Sequence, residues 1–325
     1  MKVSVCMITY NHEKFIAEAI EGVISQKTDY HYELIIGDDC SIDNTREILL
    51  DYQGKFPNKI KLLLPEKNLG MMPNFIATLQ ACTGKYIAIC EGDDYWTDVD
   101  KLQKQVDFME ANLDYVICFH RVFNQIGNER SVSTLNTSDQ EETYTLKDLA
   151  HDNFIHTPSV MFRNNQIEYF PEWFKDAPAG DYVLHMLNAK NGKIKYFPDI
   201  MAVYRIHTTS NWSSLDRFTI LERWLKVLDF LLSEDFDSET LNIIRSRKRA
   251  YINELLFKYF EADRNLFLEK LKVFIADDPK IGLDWLFYHY PEITKRMEVS
   301  LNEIKQSRTY KFSRILSSFK TKILK

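Results

Sequence analysis

Four times between residues 3 and 112 the chain passes from a short apolar run to a stretch with helical spacing. Residues 3–8 are apolar almost throughout, the pattern of a strand buried on both faces. Residues 13–26 then set Phe15, Ile16, Ala19, Ile20 and Val23 on one helical face. The strand signal returns at 32–36, 60–64 and 86–90, and helices are predicted over 45–55, 73–82 and 101–112. Asp43 or Asn44 suits the cap of the second helix, and Pro73 the first turn of the third. Such alternation builds an α/β domain with a mostly parallel central sheet and right-handed crossovers. Ligands of these sheets lie beyond the carboxyl ends of the strands. Three polar loops, 9–11, 38–44 and 91–96, fall at those ends.

The third loop carries the most chemistry. In Cys90-Glu91-Gly92-Asp93-Asp94-Tyr95-Trp96, three carboxylates stand within four residues. They repel one another unless a divalent cation or a cluster of donors neutralises them. Gly92 allows a tight turn, and Glu91 and Asp93 can aim at one ion. Mg²⁺ takes only one or two protein carboxylates and leaves its other positions to water and substrate phosphates. A metal–diphosphate site is one reading of the loop; a solvated turn after a strand is the other. No glycine stands between Val3 and Gly22, and G-x-x-x-x-G-K-[ST] is absent. Dinucleotide and P-loop cradles are therefore excluded, and a nucleotide would be held by side chains and a metal.

Further on, 115–123 reads as a strand, and 127–142 is polar and strand-poor, the best candidate for a mobile loop. Residues 156–163 return to strand. Asp181 opens a helix predicted over 182–190, where capping is its simplest role. Residues 194–197 and 201–204 read as two more strands, leading into Arg205-Ile206-His207. From about residue 215 the pattern is helical, with Leu221, Trp224, Leu225, Leu228 and Leu231 in one apolar stripe that reads as bundle core. The stretch 305–325 holds seven Lys or Arg and no acid, with Phe312, Ile315, Leu316, Phe319 and Ile323 at helical spacing. It is either a solvated or packed terminal helix or one lying on an anionic membrane surface.

The net charge of −6 argues against bulk attraction to nucleic acid. The five cysteines show no zinc-ligand spacing and read as mostly buried thiols. No apolar stretch approaches the about 18 residues of a membrane span, and the N-terminal run is too short for a signal peptide. The expected location is the cytoplasm, with 305–325 as the contact to the inner face of the plasma membrane.

Taken together, these motifs resemble the family 2 glycosyltransferases of GT-A fold. Val3-Ser4-Val5-Cys6-Met7-Ile8-Thr9-Tyr10-Asn11 is similar to that family's first strand and nucleotide-contacting turn. Asp38-Asp39-Cys40-Ser41-Ile42-Asp43-Asn44-Thr45 resembles its D-D-x-S-x-D-x-T loop, whose second aspartate contacts the base, commonly uracil. Asn68-Leu69-Gly70 matches its N-x-G loop, and Glu91-Gly92-Asp93-Asp94 stands where it has its D-x-D metal motif. Tyr204-Arg205-Ile206-His207 resembles its Y-R-x-H segment, in which the histidine is a further metal or diphosphate contact. The chain departs in carrying Glu91 as the first acid, and Gly180 where many relatives have Glu before the base.

The resemblance implies a GT-A domain over 1–214 and a helical C-terminal region over 215–325. It implies donor contacts at Thr9, Tyr10, Asn11, Asp38, Asp39, Asn68, Glu91, Gly92, Asp93 and Arg205. Mn²⁺ or Mg²⁺ would be held by Asp93 and His207, and Asp181 would be the base. The acceptor or sugar is expected at Asp94, Tyr95, Trp96 and His156; the two aromatics suit either a sugar platform or packing beneath the motif. The implied reaction is inverting transfer from a nucleotide diphosphosugar, UDP-sugar favoured, to a hydroxyl of a glycan or lipid-linked saccharide in bacterial surface-polysaccharide synthesis. A pyrophosphorylase would need a glycine-rich first loop, and a glycosidase two carboxylates flanking one bond and no nucleotide loop. A non-catalytic nucleotide- or glycan-binding relative is the remaining alternative.

Overall fold

β1 (Val3–Thr9) buries every side chain but that of Ile8, and the sheet continues on both of its edges. It pairs in parallel with β2 (Tyr32–Asp38) on one side and β4 (Tyr86–Ile89) on the other. β3 (Ile60–Leu63) adds in parallel beyond β2. The crossovers are α1 (Ile16–Ile24), α2 (Thr45–Lys55) and α3 (Met71–Gln80). α1 buries Ile16, Ala19, Ile20 and Val23, the face its spacing predicts. Each large aliphatic buried in this way stabilises the fold by about 1.5–3 kcal/mol. Asn44 stands at the N-cap of α2 without a side-chain cap bond, while the Asp43 carboxylate accepts the Thr45 amide at 2.9 Å.

The computed structural model describes residues 1–281 except 138, 165–169, 209–211 and 213, together with Lys295 and Gln306. After β4 come β5 (Tyr95–Trp96), α4 (Lys101–Ala111), β6 (Tyr115–Ile126), β7 (Glu129–Val132) and β8 (Thr143–Tyr144). α5 (Leu146–His151), β9 (Met161–Arg163), α6 (Gly180–Ala189) and β10 (Lys193–Ile206) complete the α/β part. α7 (Arg217–Leu232), α8 (Ser238–Ala262) and α9 (Arg264–Asp277) follow. The sheet order is β3-β2-β1-β4-β9-β6-β10-β5, with β7 on β6 and β8 on β10. Its longest ladders, β1 with β2 and β6 with β10, are parallel, and short β9 runs antiparallel between β4 and β6.

Three local expectations change. The strand-poor stretch 127–142 contains β7, which returns antiparallel on β6 through Gly127 at φ 58°. Residues 156–163 are strand only at β9; Thr157–Ser159 is a 3-10 turn, since Pro158 has no amide to give a ladder. The two strands expected over 194–204 are one, β10, whose register against β6 shifts between Phe197 and Ile200 and again before Ala202. Pro198 lies inside that irregular stretch, where a missing amide is tolerated.

The chain forms two compact units, Met1–Arg247 and Lys248–Lys325. α7 belongs to the first, which therefore runs past residue 214. Cys6, Cys82, Cys90 and Cys118 are buried free thiols, and Cys40 is half-buried. No helix among the described residues is long and apolar enough to cross a membrane. The basic stretch 305–325 lies, but for Gln306, outside the described residues.

Candidate active site

The carboxyl ends of β1, β2 and β4 open on a cavity of about 480 Å³. At one end its wall is Thr9, Tyr10, Asp39, Asn68 and Gly70. These residues are fastened to one another. The Asp39 amide donates to the Thr9 carbonyl at 3.0 Å, continuing the β1–β2 ladder into the loops. The Asp39 carboxylate accepts the Leu69 and Gly70 amides at 2.6 and 2.9 Å. Asn68 Nδ2 returns a bond to the Asp39 carbonyl at 2.9 Å. A carboxylate has about four acceptor positions, so Asp39 can still receive a donor from a ligand.

Asp38 and Asn11 do not line the cavity. Asp38 is fully buried, accepts from Ser41 and from Arg46 Nε at 2.7 Å, and so holds the second loop in shape. Asn11, at φ 57°, ties the first two loops: its amide donates to Ser41 Oγ and its Oδ1 accepts the Ile42 amide, both at 2.9 Å.

Glu91, Asp93 and His12 also line the cavity. Gly92 is required by close approach: a Cβ there would lie 2.7 Å from Thr9 Oγ1 and 3.0 Å from Ile16 Cδ1. Oxygens of Glu91, Asp93 and Asp94 lie within 4.8 Å of one another. Asp93 Oδ2 is 3.0 Å from His207 Nε2 and 4.0 Å from His12 Nε2. Burial, the largest influence on Asp93, pushes its carboxyl up, but the His207 hydrogen bond and the charge of His12 outweigh it and hold the group below its ordinary range. Burial, and then the neighbouring Asp93 charge, push Glu91 and Asp94 well above theirs. Asp93 Oδ1 and Asp94 Oδ2 are buried without a hydrogen-bond partner. Unpartnered hard oxygens from clustered acids fit a Mg²⁺ or Mn²⁺ ion.

Arg205, Asp94, Tyr95 and Trp96 are not on the cavity wall. The Arg205 guanidinium pairs with Glu18, donates to the Asp93 carbonyl at 2.6 Å and lies 4.2 Å over the Tyr95 ring. Its amide donates to Asp94 Oδ1 at 2.8 Å. Arg205 thus braces the acidic loop from behind. Tyr95 and Trp96 are core: Tyr95 Oη donates to Gln125, and Trp96 Nε1 donates to the Pro158 carbonyl at 2.9 Å. Buried Lys101 lies 4.1 Å over the Trp96 ring, its pKa lowered to about 7 by burial. The sugar platform expected at 95–96 is therefore occupied by packing. His207 meets Asp93 at the site and contacts Phe15 at 5.0 Å between ring centroids.

The far end brings together His156, Asp181, Tyr204, Trp212 and Trp224. Asp181 is the second residue of α6, whose N-cap is Ala179, so it is not the cap. Its Oδ2 accepts Thr157 Oγ1 at 2.7 Å, and its Oδ1 accepts the Tyr182 amide at 2.8 Å. Both oxygens are oriented, and each keeps acceptor capacity. His156 Nε2 is 2.8 Å from Ser133 Oγ, on the segment after β7, and burial lowers its pKa to about 4 against the pull of Asp181. At Gly180 a Cβ would lie 2.4 Å from Met72 Sδ. Met72, on α3, stands in the space that an acid at 180 would need. His12, Met72, Trp212 and Trp224 are the site residues that spacing did not single out. Trp224 was hidden in the apolar stripe of α7, and the signal for Trp212 is a lone large aromatic in the polar run 207–214.

Residues 4–170 match the family described as Glycosyl transferase family 2. Protein Rv1520 of Mycobacterium tuberculosis is 36% identical over 215 residues, 65% of this chain and 60% of its own length. The chain thus spans about 60% of the length of that relative. TarS of Staphylococcus aureus, a poly(ribitol-phosphate) beta-N-acetylglucosaminyltransferase, is 27% identical over 86% of this chain and 48% of its own. The crystal structure of TarS 1-349 with UDP-GlcNAc superposes at a TM-score of 0.58 and 22% identity, covering 82% of this chain and 74% of that one. Mannosyltransferase PcManGT from Pyrobaculum calidifontis, with GDP-Man and Mn²⁺, gives 0.57 at 16% identity, covering 94% and 86%. These likenesses carry the fold, a GT-A α/β domain with C-terminal helices. With its central sheet, its loop motifs and more than half its length matched, the chain belongs to glycosyl transferase family 2.

Proposed function

We propose that this protein moves a sugar from a nucleotide diphosphosugar to an acceptor hydroxyl by a single inverting displacement, with Asp181 as the base. The observation that carries the reading is one cavity holding the Asp39–Asn68 clamp, the Glu91–Asp93 acids and an oriented Asp181. Asp39 and Asn68 would receive the base and ribose, and Thr9 and Tyr10 the same end. UDP is favoured as the nucleotide, supported by TarS structures holding UDP and UDP-GlcNAc. Asp93, with Glu91 or Asp94, would hold Mg²⁺ or Mn²⁺, which as a Lewis acid offsets the charge of the diphosphate.

Asp181 takes the hydroxyl proton as the acceptor oxygen bonds to the anomeric carbon and the bond to the diphosphate breaks. Thr157 and the Tyr182 amide fix its carboxylate, so no reorientation is needed at that moment. Arg205 keeps the acidic loop in place and does not itself meet the donor. The acceptor is a glycan or lipid-linked saccharide, and the polymer in the name of TarS supports a place in surface-polymer synthesis. A lipid-linked acceptor would make contact between 305–325 and an anionic membrane face useful.

Asp181→Asn tests the assignment. It keeps the shape and an oxygen for Thr157 but cannot take a proton. Donor affinity should persist while kcat falls by about 10² or more. Near-normal turnover in this variant would put the base elsewhere.

A further inference from the structure

We propose that the far end of the cavity, resting on the transferase reading above, is an acceptor subsite for an uncharged saccharide built on Trp212 and Trp224. Both indoles line the same cavity as Asp181. They lie against each other, with centroids 5.5 Å apart at 46°. Trp224 is firmly supported. The Tyr182 ring meets it edge-on at 5.0 Å, and the Arg247 guanidinium lies 4.7 Å from its ring centroid. Arg247 in turn donates to Tyr182 Oη at 2.8 Å and to the Ala150 carbonyl at 3.4 Å. Because Tyr182 directly follows Asp181, the aromatic support and the base are parts of one helical turn. Aromatic rings offer an apolar face with little conformational freedom to lose, which suits the C–H face of a pyranose.

Charge selects against the other class of acceptor. The described residues lining the cavity include four carboxylates, Asp39, Glu91, Asp93 and Asp181, and no lysine or arginine. Its two histidines are His12, which faces Asp93, and His156, whose pKa burial lowers to about 4, so that it gives no fixed positive charge at neutral pH. Arg223 lies 5.8 Å from the Trp212 ring centroid and Arg247 stands behind Trp224, but neither lines the cavity. A polyol phosphate entering toward Asp181 would meet that carboxylate with no lysine or arginine on the wall to offset it. A neutral pyranose meets aromatic faces and uncharged hydrogen-bonding groups such as Asn153, Thr157 and Tyr204. On this ground the acceptor differs in chemistry from the poly(ribitol-phosphate) in the name of TarS.

The test uses the full chain with UDP and Mn²⁺ and saturation-transfer NMR. The neutral probes are methyl glycosides of glucose, galactose, mannose and N-acetylglucosamine; the anionic probes are ribitol 5-phosphate and glycerol 3-phosphate. At least one methyl glycoside should take up saturation on its ring protons, and the polyol phosphates should not. Trp212→Ala should weaken the bound glycoside roughly five- to tenfold while UDP affinity stays. Trp224→Phe, which retains a ring against Tyr182, should weaken it less. Polyol phosphate binding as tight as the best glycoside, binding of no glycoside, or an unchanged Trp212→Ala variant would each overturn the proposal. Failure of the wild-type chain to bind UDP, with glycoside binding intact, would count against the donor reading and leave the subsite standing.

Discussion

The two ends of the cavity are built differently. The donor end is four loops that follow β1, β2, β3 and β4, so each of its residues lies in a segment running on from a strand end. The far end collects a 3-10 turn, the first turn of α6, the end of β10, a loop and α7, spread from residue 156 to 224. At the donor end backbone amides and carbonyls do much of the holding, as where Asp39 clamps Leu69 and Gly70. At the far end side chains hold side chains: Thr157 on Asp181, Ser133 beside His156, Arg247 behind Trp224. Backbone-held loops at strand ends are set by local geometry and vary little. Surfaces held by side chains from distant segments can change with single substitutions, which suits the end where an acceptor is chosen.

Asp93→Ala should break the donor end most severely. Metal-dependent donor binding should vanish, with the melting-temperature rise given by UDP-sugar and Mn²⁺ lost, while the apo fold persists because one repelling carboxylate is gone. Full transfer activity in that variant, or in excess chelator, would break the comparison outright.

Acid should act first on the far end. Burial lowers both His156 and His185 to about 4, opposed in each case by Asp181. A histidine with a folded pKa below its unfolded value near 6.5 binds its proton more readily when unfolded. Its contribution is therefore full above about pH 6.5 and is lost as pH falls toward 4, by up to roughly 3 kcal/mol per group. Both ring nitrogens of His185 lack partners, so His185→Met should cost little at pH 7 and flatten part of the loss. Thermal melts across pH 7 to 4 that are superimposable for the two proteins would remove His185 from the account.

Asp39→Ala should weaken UDP binding by about 1.5–3 kcal/mol, the range for a hydrogen bond to a charged group. Calorimetry giving equal affinities would mean that the clamp shapes the loop without reading the base.

The sharpest contrast comes from one chemical change at both ends. Gly92→Ala drives a methyl onto Thr9, at the end of β1, and should lower stability by about 1–3 kcal/mol. Gly180→Ala presses on the Met72 thioether, the end of a flexible side chain, and touches Phe75 at an ordinary 3.4 Å, so it should cost less than about 1 kcal/mol. Its effect should appear in acceptor KM, since Met72 lines the cavity. Equal losses of melting temperature would show that the two ends are equally rigid.

The alternation of runs and helical spacings in the sequence determined the α/β class, the parallel half-sheet and the loops where a ligand sits. These are local periodicities, and each is written in consecutive residues. The three acids likewise stand within four consecutive residues, whereas Asp39 and Asn68 were singled out by the resemblance of their motifs to the family. Only the tertiary structure decided which polar residues face the cavity and which brace it. Arg205 looks like a ligand in sequence, yet Glu18, brought from α1, engages it behind the loop. Trp96 read as either platform or packing, and Trp224 as core; Trp96 is packed, and Trp224 lines the cavity. A strand after the acidic turn is covered by β10 and the Pro158 carbonyl, whereas one edge of an amphipathic helix reaches the cavity. Likewise the missing acid at 180 follows from α3, whose Met72 occupies that space. Spacing along a chain specifies which face of an element is apolar; what that face meets depends on segments a hundred residues away.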